Sequence, residues 1–536
     1  MQISHSAHVD TFTRDNLPPR ASWPEFLFTL PELHYPASIN CAAELVDRHV
    51  SAGAGSKRCL VTETETWTYS DLLATSNQVA HVLVQEMGVV PGNRVLLRGP
   101  NNTWLVASWF GVMKAGGVAV TTMPLLRAGE LRTVAEIAEV KLAVCDHRFA
   151  ADLEAAAIPH LTTVLYGGSG GDDLTKLAEG KATVFENVAT AAEDVCMLAF
   201  TSGTTGKPKA TMHFHRDVLA IADTFSRQVL RPGAHDLFAG SPPLAFTFGL
   251  GQSVVFPLRA GAATFLIEQP SPTGMLEAVA RHRITVLATA PTAYRAMLPH
   301  LDTAELTSLR ACISAGETLP MATWDAFHEA SGIRLIDGIG STELLHIFIS
   351  AVGDEIRPGT TGRAIQGYLA EVQDPEGRAV PDGELGRLAV KGPTGCRYLR
   401  GDRQATYVQN GWNITGDVYV RDADGYFHYQ ARADDMIISA GYNIAGPEVE
   451  EALLRHPAVA EAAVIGVPDE DRGMIVKAVV VLHAGAALGP EPAKTLQDFV
   501  KSQIAPYKYP RAIEFADVLP RTATGKLQRF RLRERS

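Results

Sequence analysis

The sequence predicts an α/β protein: a large N-terminal domain of helix-covered sheets followed by a small α+β domain. Three observations predict it. Between about residues 60 and 430, short β-like runs alternate with helical stretches, the order expected of parallel strands covered by helices. Beyond about residue 430 the character changes, and about a hundred residues, a common domain size, carry their own helices and apolar runs. The chain of 536 residues is also too long for one ordinary core.

In chain order, the strand candidates are "RVLLRG" (94–99), "KLAVCD" (141–146), "VCMLAF" (195–200), "ITVLATA" (284–290) and "LRACISAG" (309–316). "SDLLATSNQVAHVLVQEMG" (70–88) supplies a covering helix, and "GGSGGDD" (167–173) reads as an exposed loop. In the C-terminal part, "GPEVEEALLRHP" (446–457) opens a helix. Pro447 fits its first position, and Glu448, Glu450 and Glu451 complement the helix dipole. The apolar runs "AEAAVIGV" (460–467) and "MIVKAVVVLH" (474–483) follow. Then "TLQDFVKSQI" (495–504) begins with a capping-box-like Thr495 and Asp498.

Hydrophobic residues make up 46% and charged residues 20%, the balance of a globular protein. Lys+Arg 48 against Asp+Glu 59 gives −11 without a long basic block, which argues against nucleic acid and anionic membranes as partners. The first residues lack a basic-then-apolar signal pattern, and no apolar run approaches membrane-spanning length. Cys41, Cys59, Cys145, Cys196, Cys312 and Cys396 are scattered without a C-x-x-C pair, so they read as buried free thiols and structural zinc is not expected. A cytoplasmic enzyme is the expectation.

"TSGTTGKPK" (201–209) carries the first chemical signal. Gly203 and Gly206 let successive backbone N–H groups turn inward. Thr201, Ser202, Thr204 and Thr205 add hydroxyls, and Lys207 and Lys209 add positive charge. These residue types suit a phosphate. A Walker A loop, however, needs four residues between its glycines and a Ser or Thr after the lysine, whereas two residues stand here and Pro208 follows Lys207. A P-loop NTPase is therefore excluded, and a polar surface loop is the bland alternative.

Further stretches join it: "SAGE" (314–317), "GSTE" (340–343), "NITGD" (413–417), "ARADDMIISAGYNIAGPEVE" (431–450) and "PRTATGKLQR" (520–529). With "TSGTTGKPK" they stand in the order and at the separations of the acyl-adenylate-forming (AMP-binding) enzymes, which the sequence resembles from about residue 35 onward. "DGIGSTELLHIF" (337–348) and "PPLAFTFGLG" (242–251) bring the resemblance closer to aryl-CoA ligases of the benzoate and 2-aminobenzoate type.

The resemblance implies the adenylate-forming fold. A large domain (1–432) would hold the ATP and acid sites, and a small mobile domain (435–536) would turn on a hinge at Asp434. It implies ATP, Mg²⁺ and CoA as co-substrates, with "TSGTTGKPK" gripping the β- and γ-phosphates while a carboxylate attacks the α-phosphorus. Thr342 and Glu343 would meet the phosphates from the other side, Glu343 through the metal. Without the resemblance, that glutamate would read as a helix N-terminal charge. Gly316 and Glu317 would lie against the adenine, with Asp337 near its amino group. Asp417 and Arg432 would hold the ribose. Lys526 would bridge acid and α-phosphate during adenylation only, and Gly441 would flank the CoA tunnel.

The acid pocket is expected from Phe246, Thr247, Phe248, Gly338, Ile339, Gly340, His346 and Ile347, a flat slot suited to an aromatic ring. Thr247 and Phe248 stand where an alanine and a tyrosine are usual in the benzoate pattern. The Thr247 hydroxyl would suit an ortho amino or hydroxyl group, and His346 would orient the carboxylate or bond that substituent. A core histidine is its bland reading. 2-Aminobenzoate is the first choice, with benzoate, salicylate and other substituted benzoates open. So are a stand-alone activator loading a carrier protein, a non-catalytic binding protein on the same scaffold, and a homodimer.

Overall fold

A computed structural model describes residues 5–202, 208–401, 403–433, 435–439, 442–469, 472–486, 491–504, 506–522, 525 and 527–534. One sheet orders its strands Thr162–Tyr166, Leu142–Asp146, Arg94–Arg98, Val118–Thr122, Val195–Ser202 and Pro208–Phe214. The first five are parallel and the last returns antiparallel. Helices cover these strands because the chain must cross over between parallel neighbours. The helix Tyr69–Gln85 starts where Thr68 and Asp71 cap each other's backbone N–H groups, and Asn102 caps the helix Thr103–Lys114.

A second sheet has nine strands, with a parallel centre. Leu335–Gly340, Ala311–Ser314, Val286–Thr289, Leu237–Gly240, Ala263–Phe265 and Arg58–Val61 lie side by side in that order, and antiparallel strands close both edges. All five strand runs named from the sequence lie in these two sheets.

From residue 369 to 432 the expectation of parallel strands is corrected. Leu369–Gln373, Leu385–Lys391, Val408–Gln409, Trp412–Arg421 and Phe427–Arg432 form a five-stranded antiparallel sheet. The connections between several of these strands are too short for a crossover. Gln409 pairs with Trp412 across Asn410 (φ 51°) and Gly411 (φ 79°), and two positive φ values make a type I′ hairpin.

The small domain has a core of its own. Ile437, Ile444, Val449, Leu453, Val464, Val476, Val480, Leu496 and Val500 pack together, and the large cores of the N-terminal domain draw on residues up to Phe427. Its strands Val459–Asp469 and Gly473–Leu482 pair antiparallel, and Ala512–Phe515 adds in parallel. The helix expected from Thr495 starts a turn earlier, at Pro492. Proline suits a first helical position, so Thr495 lies inside, its hydroxyl donating to Glu491 O at 3.1 Å. All six cysteines are free and buried. Among the described residues no helix is long and apolar enough to cross a membrane.

Candidate active site

The strands Val195–Ser202 and Pro208–Phe214 pair up to Thr201↔Lys209 and Ser202↔Pro208, so the two ends of "TSGTTGKPK" are held side by side. Gly203, Thr204, Thr205, Gly206 and Lys207 lie outside the described residues, as does the Ser202 side chain. Lys209 emerges at the hairpin's end with Nζ 5.5 Å from the centre of the Tyr398 ring. Burial, with Arg403 nearby, pulls its pKa below the usual lysine value, and Glu343 works in the opposite direction.

Tyr398 is placed by the same hairpin. Met212 N donates to Arg397 O at 2.8 Å and Leu399 N to Ala210 O at 2.9 Å, laying residues 397–399 along the strand Pro208–Phe214. The Arg397 guanidinium is fully buried against the Asp217 carboxylate and lies 3.9 Å from the Phe214 ring centre. A buried ion pair of this kind is costly to break by removing one partner.

Thr342 and Glu343 follow the strand Leu335–Gly340 in a loop that ends at Leu345, whose φ is 71°. The loop faces Tyr398, whose hydroxyl donates to Glu343 Oε1 at 2.6 Å. His213 Nε2 donates to the Thr342 carbonyl at 2.9 Å. Burial pulls the His213 pKa down to about 3, so the ring is neutral at ordinary pH. Two segments far apart in sequence thus converge on one loop.

Asp337 and Ser314 are register partners on adjacent parallel strands. Asp337 Oδ1 and Ser314 Oγ are both cut off from solvent and have no hydrogen-bond partner among the described residues. Burial raises the Asp337 pKa to about 8. Orphaned polar atoms near the carboxyl ends of parallel strands mark a place prepared for a ligand. Gly316, close by on the loop after Ser314, has a φ of 92°, and Glu317 follows it.

Asp417 and Arg432 are direct partners across an antiparallel pair, with Arg432 Nη1 donating to Asp417 Oδ1 at 3.0 Å. Gly416, just before Asp417, has a φ of 79°, and a Cβ there would sit 2.9 Å from Arg432 Nη2. The glycine therefore lets the guanidinium lie against the backbone.

The residues expected to line an acid pocket fall in two segments, 242–251 and 337–348. Asn101 fixes the first: its Nδ2 donates to Pro242 O at 3.1 Å and its Oδ1 accepts from Leu244 N at 2.8 Å. Thr121 Oγ1 adds a bond to Ala245 O at 3.0 Å. Phe246 then caps the short helix Thr247–Leu250, with Thr247 9% exposed at its first position. In the second segment Ile339 pairs with Ile349, a Cβ on Gly338 would meet the Ile347 side chain at 2.8 Å, and one on Gly340 would meet the His346 backbone at 2.7 Å.

His346 joins the two segments. Its ring lies 5.7 Å from Phe248, 5.4 Å from Phe225 and 4.5 Å from Phe256, centre to centre. Gly251 makes room for it, since a Cβ there would be 2.4 Å from the imidazole. Among the described residues neither ring nitrogen finds a partner in hydrogen-bond geometry, although the Phe248 backbone is near, and burial pulls the pKa down to about 3.

The small domain approaches through Arg521, whose Nη2 donates to Glu461 Oε2 at 2.6 Å and whose Nη1 lies 3.4 Å from Glu317 Oε1 on the large domain. Arg295 of the large domain is 3.9 Å from the same Glu461. Asp434, Gly441 and Lys526 lie outside the described residues. Sequence reasoning did not identify Arg521, His213 or Tyr398. Arg521 was within reach, as it stands in the "PRTATGK" stretch already singled out. No local pattern marks the other two.

A family model described as AMP-binding enzyme matches residues 47–398, and one described as AMP-binding enzyme C-terminal domain matches residues 448–526. The chain is 35% identical to the benzoate–CoA ligase of Thauera aromatica over 517 residues, which cover 94% of this chain and 98% of that protein. The solved structure of the anthranilate CoA ligase AuaEII in complex with anthranoyl-AMP superposes with a TM-score of 0.90 at 34% identity, covering 94% of this chain and 99% of that one. For a benzoate CoA ligase from Burkholderia xenovorans LB400 the TM-score is 0.84 at 32% identity, with 92% and 100% covered. Strand order, site and similarity converge: the chain belongs to the AMP-binding enzyme family and has the adenylate-forming fold, a large N-terminal domain followed by a small C-terminal one.

Proposed function

We propose that the protein is an AMP-forming aryl-CoA ligase and that 2-aminobenzoate is its acid. The carboxylate of the acid attacks the α-phosphorus of ATP and expels pyrophosphate; the CoA thiol then attacks the aryl carbonyl and releases AMP. The first step brings an anion to an anion, so charge neutralisation and in-line placement dominate its barrier. ATP enters as its magnesium complex. Glu343 suits that metal, because one carboxylate oxygen is held by Tyr398 and the other has no partner among the described residues. Lys209 and the loop before it supply positive charge to the phosphates. Asp337 accepts from the adenine amino group, and Asp417 with Arg432 holds the ribose. Lys526 stabilises the charge between acid and α-phosphate, and the small domain then turns about Asp434, bringing Gly441 alongside the CoA.

One observation carries the choice of acid: a neutral imidazole, neither of whose nitrogens meets hydrogen-bond geometry among the described residues, inside a cage of phenylalanine rings. An aromatic wall favours a flat ring, and a buried orphan donor or acceptor favours a ring bearing a polar substituent. Thr247 on the other segment supports the same reading, and so does the likeness to the anthranilate ligase. Benzoate is the second reading, favoured by the sequence likeness to benzoate ligases. Pyrophosphate release with 2-aminobenzoate, benzoate, salicylate and 4-hydroxybenzoate, each with CoA and with a phosphopantetheinylated carrier protein, tests the proposal. It requires the highest kcat/KM for 2-aminobenzoate and thioester formation on CoA. A preference for benzoate, or for the carrier, overturns the corresponding part.

A further inference from the structure

The loop Ser341–Leu344 is held at every residue by a side chain from outside it. Ser341 Oγ is 3.2 Å from the Tyr407 hydroxyl, the Thr342 carbonyl accepts from His213, Glu343 Oε1 accepts from Tyr398, and the Leu344 carbonyl accepts from Thr394 Oγ1 at 2.7 Å. Two of these ties hold backbone carbonyls and a third holds the Ser341 hydroxyl. Only the one from Tyr398 reaches the carboxylate, and so only it selects where that carboxylate points.

Tyr398 is itself immobilised. It is 4% exposed, its backbone N–H donates to Gln404 Oε1 at 3.0 Å, and Tyr407 packs edge-on at 5.8 Å. The carboxylate can only accept, so the Tyr398 hydroxyl is the donor in its 2.6 Å contact with Glu343. The face of the same ring receives Lys209 Nζ. One aromatic ring thus contacts both the cation at the end of the phosphate hairpin and the acid on the facing loop.

We infer that Tyr398 is a positioning residue for adenylation: its hydroxyl fixes one oxygen of Glu343 so that the other is presented to the magnesium on ATP, while its ring sets the place of Lys209. The inference rests on the reading that Glu343 meets that magnesium. Because the hydroxyl's hydrogen bond is given to Glu343, its removal affects the step that uses magnesium and spares the step that does not.

The test uses the full-length protein with Tyr398→Phe, which keeps the ring, and Glu343→Gln. Pyrophosphate release is measured against Mg²⁺ concentration at saturating ATP, and thioester formation is measured separately from synthetic aryl-adenylate and CoA. A lost hydrogen bond to a charged group leads us to expect adenylation by Tyr398→Phe to fall roughly tenfold or more, with half-saturation shifted to higher Mg²⁺. Thioester formation and the melting temperature stay as in the parent. If Tyr398→Phe keeps the parent's magnesium dependence while Glu343→Gln fails to adenylate, the inference fails and the underlying reading stands. If Glu343→Gln adenylates normally, the reading fails and takes the inference with it. Equal slowing of both steps with a lower melting temperature would make Tyr398 a core residue and overturn the positioning role.

Discussion

Asp337 shows how one buried carboxyl couples the site to pH. Its folded-state pKa of about 8 lies above the ordinary aspartate value of 3.8, so between those values the folded chain binds the additional proton. Its contribution therefore makes stability fall as pH rises from about 4 to about 8, and flat beyond. His213 and His346 act oppositely and elsewhere: with folded pKa values near 3 against 6.5, they lose stability as pH drops below about 6.5. Between about pH 7 and 8 the histidines are nearly silent. We expect Asp337→Asn to flatten the fall in melting temperature across that window, and an unchanged slope would show that Asp337 ionises freely. Thr247 gives a second residue-scale test. Losing a buried hydrogen bond costs about 0.5–1.5 kcal/mol, so Thr247→Ala should lower the kcat/KM preference for 2-aminobenzoate over benzoate several-fold. An unchanged ratio would remove Thr247 as a reader of the ortho group.

At the scale of elements, the hairpin Trp412–Arg421/Phe427–Arg432 presents Asp417 and Arg432 together, and Gly416 makes that possible. An alanine there meets a left-handed φ, which costs about 1–2 kcal/mol, and also crowds Arg432. Gly416→Ala should lower the melting temperature and raise the KM for ATP more than that for the acid; equal changes in both would argue against a ribose site here. The same scale explains what the sequence revealed. "VCMLAF" and "LRACISAG" were legible as strands because an apolar run between breakers is a local signal. The antiparallel run from 369 to 432 was not anticipated, although Asn410–Gly411 is a strong hairpin signal, because the alternation upstream was carried past its end. Tyr398 was invisible for another reason. Its place depends on pairing with Thr211, far away in sequence, and on a buried Arg397–Asp217 contact, neither of which leaves a spacing to read. The roles proposed for "GSTE" and "TGD" rest on resemblance, since their residue types alone equally suit a helix start and a turn.

For the molecule as a whole, the decisive experiment separates the two chemical steps. The charge that Lys526 is proposed to stabilise exists only while acid and ATP react. Lys526→Ala should therefore lose roughly 10²–10³ in adenylation rate and still convert synthetic 2-aminobenzoyl-adenylate and CoA to thioester at nearly the parental rate. Slowing of both steps alike would signal a structural lysine. The contact at the domain seam adds a different dependence. Glu317, Arg521, Glu461 and Arg295 alternate in sign from one domain to the other and back, at 3.4, 2.6 and 3.9 Å. All four are partly exposed, so dissolved counter-ions compete with them, and their attraction fades once the Debye length shrinks to a few ångströms, near 1 M salt. The ladder joins the two domains in the described orientation, and if that orientation is the one that forms the adenylate, ionic strength becomes a dial on how long it lasts. Added KCl should slow adenylation relative to thioester formation, and Arg521→Gln should blunt that response. Parallel salt profiles for parent and variant would show that the ladder carries no part of the preference. Where the response holds, the ionic composition of its surroundings helps set how the enzyme divides its time between activating an acid and handing it on.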